Sequence, residues 1–239
     1  MKRKAHTLEL AAYLATRPNG ATPEEVAEAF GVKLTSARSL VKVVREWLGT
    51  NPRTGRMHVP AANDSEAGKA RGMGVYQVED LLFDADLFRR LRLRAQARGP
   101  EGIEDLRTAL SLVRGEPFSH LRKEGGAWLA EGARLDQHLV CAIVDVAHTV
   151  TTASLRSGEI AHAREATETA LNAAPHEEIP RVDLVAVCEA EGHHAEARQI
   201  LWSDIINRSE DDGPPMEVPL RTESIVNSKR WLEQRRVTT

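Results

Sequence analysis

The sequence predicts a mainly α-helical protein: an N-terminal winged helix-turn-helix over residues 1–80, followed by a tetratricopeptide-like α-helical array over residues 81–239. Three observations predict it. The run Gly-x-x-Ala-x-Ala-Arg occurs twice, from Gly158 to Arg164 and from Gly192 to Arg198. The spacing of 34 residues is the period of a tetratricopeptide-type helix pair, which buries its apolar face only by stacking on neighbours. Aromatic residues are 4% of the chain and hydrophobic residues 41%, a bias toward helix–helix packing through small side chains rather than a β-sandwich. Finally, a basic amphipathic helix spans residues 34–48 behind a capped helix and a Gly turn, the layout of a helix-turn-helix.

In the head, residues 5–16 place Leu8, Ala11, Ala12 and Leu14 at near-helical spacing. Arg17-Pro18-Asn19-Gly20 ends that helix, because Pro18 lacks the amide donor and Asn-Gly favours a turn. Thr22-Pro23-Glu24-Glu25 starts the next: Thr22 at the N-cap, Pro23 at N1, and Glu25 at N3 completing a capping box. Val26, Ala29 and Phe30 form its apolar face, and Gly31 supplies the turn. The third helix buries Ala37, Leu40, Val41, Val44 and Leu48. Its other side presents Thr35, Ser36, Arg38, Ser39, Lys42 and Arg45, suited to phosphates and base edges in a major groove that admits one helix. Two short strands, 56–60 and 74–78, are expected to form a wing. The loop between them is expected to be poorly ordered without DNA, and Arg53, Arg56, Lys69 and Arg71 are its candidate backbone contacts.

Charge is distributed to match. Residues 1–60 carry ten Lys/Arg and five Asp/Glu, a net +5, leaving −8 for the other 179 residues of a chain with net charge −3. A basic head on an acidic body confines a nucleic-acid contact to the head. No run approaches 18 consecutive apolar residues, so no membrane-spanning segment is expected within the chain. No apolar stretch follows the basic start Met1-Lys-Arg-Lys4, so no signal peptide is expected. Cys141 and Cys188 lack a Cys-x-x-Cys partner and read as buried core residues of a reducing cytoplasm.

The runs Thr35-Ser-Ala-Arg-Ser-Leu40, Trp47-Leu-Gly49, Gly74-Val-Tyr76 and Phe83-Asp-Ala-Asp-Leu-Phe88 follow one another in the head. Behind them come Ala109-Leu-Ser-Leu-Val-Arg-Gly-Glu-Pro-Phe-Ser-His-Leu121, Trp128-Leu-Ala-Glu-Gly-Ala-Arg-Leu-Asp136 and Ala174-Pro-His-Glu-Glu178. In this order the chain resembles actinobacterial antibiotic-regulatory transcription factors across most of residues 5–209. The resemblance implies a bacterial transcriptional activator domain, tetratricopeptide-like, behind a response-regulator-type winged helix. It implies double-stranded DNA as one partner, and RNA polymerase, another protein or a second copy of the chain as the other. The chain departs from that pattern in having no room for a β-sheet before its first helix and in a longer wing loop. Some members of this kind place the module at the C-terminal end of long proteins with membrane segments, so a fragment of a larger protein is a second expectation.

The body reads as helices over 84–97, 101–113, about 127–157, 159–173, 177–191 and 194–208. Asp211-Asp-Gly-Pro-Pro215 forms a linker, and a last helix at 222–234 carries Ile225, Val226 and Trp231. Ala161/Ala163 and Ala195/Ala197 are expected to let neighbouring helices approach. No phosphate-binding Gly-x-x-x-x-Gly-Lys-Ser/Thr loop and no Gly-x-Ser-x-Gly elbow occurs. His193 and His194 point about 100° apart on a helix, and Asp145 with His148 forms only a pair, short of a metal site. The expectation is therefore a cytoplasmic regulator without catalytic residues, cofactor or metal. The alternative is a protein–protein scaffold whose winged helix does not bind DNA.

Overall fold

A computed structural model describes residues 2–121, 125–130, 134–206 and 217–229. These residues are mainly helical, with no strand among them. They divide into two compact units built from alternating stretches of chain: 1–87 with 117–139, and 88–116 with 140–239. The first unit is thus not confined to residues 1–80.

The first unit is built on α1 (Lys2–Ala15), α2 (Pro23–Ala29) and α3 (Leu34–Leu48). The capping box forms as expected: Glu25 N donates to Thr22 Oγ1 at 3.1 Å, and Thr22 N donates to Glu25 Oε2 at 2.6 Å. Leu10, Tyr13 and Leu14 of α1, Val26 and Phe30, and Ala37, Val41 and Val44 of α3 close one apolar core. Segment 117–130 completes that core from far along the chain. Trp128, buried in the short helix α7 (Ala127–Ala130), meets Tyr13 edge-on with ring centroids 5.4 Å apart. Tyr13 meets Phe30 edge-on at 5.5 Å, and Phe118 meets Trp128 at 6.0 Å. The carboxylate of wholly buried Glu9 accepts from Gly126 N at 2.7 Å and from Trp128 Nε1 at 3.4 Å. A buried charge needs such donors. At Gly125 a Cβ would stand 2.6 Å from that carboxylate, so a side chain there would displace it.

The expected wing hairpin is not formed by the described residues, because its two segments bond elsewhere. Met57 forms an isolated bridge with Thr50, and Tyr76 one with Ala21. Tyr76 N donates to Ala21 O at 2.8 Å, and His58 N donates to Gly49 O at 3.0 Å. One backbone bond, Glu79 N to His58 O at 2.8 Å, ties the first segment to the residue just past the second. The loop between them is not irregular. It holds α4 (Glu66–Arg71), N-capped by buried Ser65, whose Oγ accepts from Gly68 N at 2.9 Å and donates to Val75 O at 2.7 Å. A side-chain cap of this kind satisfies helix-end donors that would otherwise need solvent.

The second unit takes α5 from Phe88 onward and α6 (Ile103–Ser111), joined by a 3₁₀ turn at Gly99–Gly102. α5 as a whole spans Asp84–Arg98. Asp105 in the first turn of α6 accepts from Arg94 Nε at 2.8 Å and Arg94 Nη2 at 2.6 Å, tying α6 back onto α5. The single helix expected over 127–157 is instead α7 and α8 (Leu135–Ser157). Arg134, with φ of 44°, precedes α8, and residues 131–133 lie outside the described residues. By length and composition α8 is apolar enough to cross a membrane. In this fold Ile143, Val144, Val146, Ala147 and Val150 are buried, and Thr151 shares a buried hydrogen bond with Thr167 at 2.9 Å.

α9 (Ile160–Ala173), α10 (Ile179–Ala190) and α11 (His194–Ile200) follow as successive hairpins, and α11 runs on into a π-helical turn, Leu201–Ile206. The 34-residue period is visible in the backbone. Gly158 and Gly192 have φ of 77° and 80°, a left-handed conformation that favours glycine. Beside them, Glu159 N donates to Ser154 O and His193 N to Cys188 O, each at 2.8 Å. Ala163 and Ala197 are both fully buried, whereas Ala161 and Ala195 are exposed, so only the second alanine of each run lets helices approach. Cys188 is buried as expected, but Cys141 is exposed on the outer side of α8. The last described helix is α12 (Leu220–Asn227). The expected linker 211–215, Trp231 and the end of the 222–234 helix lie outside the described residues.

Candidate nucleic-acid interface

The α2–α3 corner sets the interface. Phe30 caps α2, Gly31 turns the chain with φ of 59°, and Val32 N donates to Ala27 O at 2.9 Å. Helix α3 then starts at Leu34. Its inward row Ala37, Val41 and Val44 is buried, which turns Thr35, Ser36, Arg38, Ser39 and Lys42 outward, all exposed. Ser39 Oγ donates to Thr35 O at 3.0 Å, so both hydroxyl residues sit on one strip. Arg38 has no ion pair or hydrogen-bond partner among the described residues. Lys42 stands 3.9 Å from Glu46 one turn on, an exposed i,i+4 pair of small energetic weight.

The other expected contacts separate into two groups. Arg45 does not face outward. Its Nε donates to Val59 O at 2.7 Å and its Nη2 to Pro60 O at 2.8 Å, so it fastens α3 to the segment behind it. Arg56 is likewise engaged, donating to Glu79 at 3.1 Å. The other oxygen of Glu79 accepts from Glu66 N at the start of α4, at 2.7 Å. By contrast Arg53, Lys69 and Arg71 are exposed. Lys69 and Arg71 fall in the last turn of α4, where the helix dipole favours cations. Gln77 completes the arrangement by accepting from Ala67 N at 2.8 Å and donating to Pro18 O at 2.7 Å.

Residues the sequence reading passed over share the same helix. Val43 and Trp47 are exposed on α3, 42% and 58% respectively, with Glu46 between them. The signal was present in the helical spacing, since positions 36, 39, 43 and 47 fall on one side of the wheel. Charge is also more local than the first 60 residues suggest. Residues 61–87 carry six Asp/Glu against two Lys/Arg, so the cationic character belongs to the start of α1, α3, the 50–57 turn and the end of α4.

The second unit offers no metal centre among the described residues. Asp145 and His148 are drawn to different partners: Asp145 accepts from Arg92 at 3.1 Å, while His148 Nδ1 lies 2.9 and 3.0 Å from the two Asp183 oxygens. His193 pairs with Glu191 at 3.2 Å and with Glu196 at 3.6 Å. Arginines hold the hairpin corners. Arg107 of α6 reaches Ser154 at 3.2 Å as well as Glu159, and Arg164 of α9 reaches Cys188 at 3.5 Å as well as Glu191. The carboxylates around Arg164 push its guanidinium further up from its ordinary range. Comparison of the chain with family models, with curated proteins and with solved structures finds no match.

Proposed function

We propose that this chain is a DNA-binding transcriptional regulator. Helix α3 enters the major groove, with Arg38 and Lys42 on phosphates or guanine edges and Thr35, Ser36 and Ser39 on backbone or bases. Arg53, Lys69 and Arg71 contact the flanking backbone from the place a wing would occupy. The second unit acts as a tetratricopeptide-like activator domain of the actinobacterial regulatory type, engaging RNA polymerase, another protein or a second copy of the chain. The protein works in the cytoplasm and catalyses no reaction.

One observation carries this reading: the second helix of a capped helix-turn-helix buries Ala37, Val41 and Val44 while leaving Arg38 exposed and unpaired among the described residues. The experiment is a fluorescence titration of the full chain with duplexes selected from a random-sequence library, at several salt concentrations. Association should weaken as salt rises, and Arg38→Ala with Lys42→Ala should flatten the logarithmic slope by roughly 0.9 for each phosphate no longer neutralised. Association that ignores salt, or an unchanged slope in the double variant, assigns the head to protein binding instead.

A further inference from the structure

We propose that Val43 and Trp47 are specificity-determining residues that contact the 5-methyl groups of thymines in the bound site. The inference rests on the DNA-binding reading above and adds to it which base feature is read. Val43 and Trp47 lie four residues apart, hence one above the other on the same side of α3. They are the exposed large hydrophobic residues of that helix, and Ser36 and Ser39 continue the row toward its N-terminus. The exposed cations Arg38 and Lys42 lie on the opposite flank of the same helix, with Arg38 across the wheel from Trp47, and exposed Lys33 stands at its N-cap.

That pairing selects the occupant. A helix with an apolar strip on one flank and cations on the other complements a polyanion that also carries apolar groups, and in the major groove the apolar group is the thymine methyl. Burying it against Val43 and the Trp47 ring removes apolar surface from water on both sides of the contact. Glu46 stands beside the row, its charge partly offset by Lys42 at 3.9 Å. The arrangement divides the helix: its cationic flank supplies sequence-independent attraction, and its apolar flank supplies discrimination.

The test uses the full chain and duplexes recovered from a random-sequence library, each remade with uracil in place of single thymines. For the wild-type protein, removing a contacted methyl should weaken binding about fourfold. Val43→Ser and Trp47→Ser alter exposed side chains only, and circular dichroism with thermal melting checks that both remain folded. In these variants the uracil effect should vanish at the contacted thymine while the salt slope stays as in wild type. A uracil effect that is absent from wild type, or undiminished in the variants, overturns the inference while salt-dependent binding keeps the regulator reading intact. Absence of salt-dependent binding removes both. Self-association in sedimentation that Trp47→Ser abolishes, with DNA binding unaffected, gives the strip to a second copy of the chain and overturns the thymine assignment.

Discussion

Asp105 and Asp183 are both buried carboxyl groups in the second unit, in opposite electrostatic settings. The hydrogen-bonded Arg94 guanidinium holds the Asp105 carboxyl below its ordinary range, against the effect of burial and with help from Arg98. Burial pushes the Asp183 carboxyl up, and His148 and Arg221 offset this only in part. The signs of the linked stability changes follow. The contribution of Asp105 is complete above the ordinary carboxylate range and is lost as pH falls through its depressed value. The contribution of Asp183 is complete below the ordinary range and is lost as pH rises through its raised value. In thermal melts from about pH 3 to 7, Asp105→Asn should flatten the acid limb. Asp183→Asn should flatten the decline above the ordinary carboxylate range, with the new amide oxygen still accepting from the imidazole. Parallel curves for wild type and both variants would remove the assignment.

At the scale of elements, the clamp from α3 to the segment behind it is the most consequential local contact. Removing the Arg45 side chain leaves the Val59 and Pro60 carbonyls without their donors. Such a change costs about 1–3 kcal/mol where the carbonyl is buried. Arg45→Ala should therefore lower the melting temperature and hasten proteolysis between Arg53 and Arg56. A variant that melts as wild type but has its salt slope for DNA reduced by one unit would place Arg45 on the proposed DNA-contacting side. Local signals made much of this region legible. The capping box at Thr22 and Glu25, the limits of α3 and the turns at Gly158 and Gly192 each depend on residues within a few positions. The strands at 56–60 and 74–78 misled because alternation reports a half-buried extended segment, not its partner. The first segment bends at His58 and Val59, and the two bond mainly to Thr50, Gly49 and Ala21 rather than to each other. Likewise α4 is set by a single serine cap inside a run of small residues, which reads as a loop. The cationic strip was legible by periodicity, whereas the diversion of Arg45 and Arg56 to acceptors 14 and 23 residues away was not.

For the whole molecule, the contact between Glu9 and Trp128 spans 119 residues of sequence, and no local pattern announces it. Trp128 packs against Tyr13 and Phe118, and its indole N–H meets a carboxylate that is wholly enclosed. Trp128→Ala should cost about 3–5 kcal/mol, read as a large drop in urea midpoint by circular dichroism. A fragment ending at residue 80 should be destabilised to the same extent. An isolated 1–80 fragment as stable as the full chain would show that the enclosing segment is dispensable.

The order in which a ribosome delivers the chain gives that arrangement a temporal meaning. When α3 emerges, the site for the indole is vacant and Gly126 N and Trp128 Nε1 have yet to reach Glu9. At 5–20 residues per second, roughly 4–16 s pass before the missing aromatic arrives. Until then the first unit is an unfinished mould. Nascent protein should acquire a protease-resistant first unit only once Trp128 has emerged.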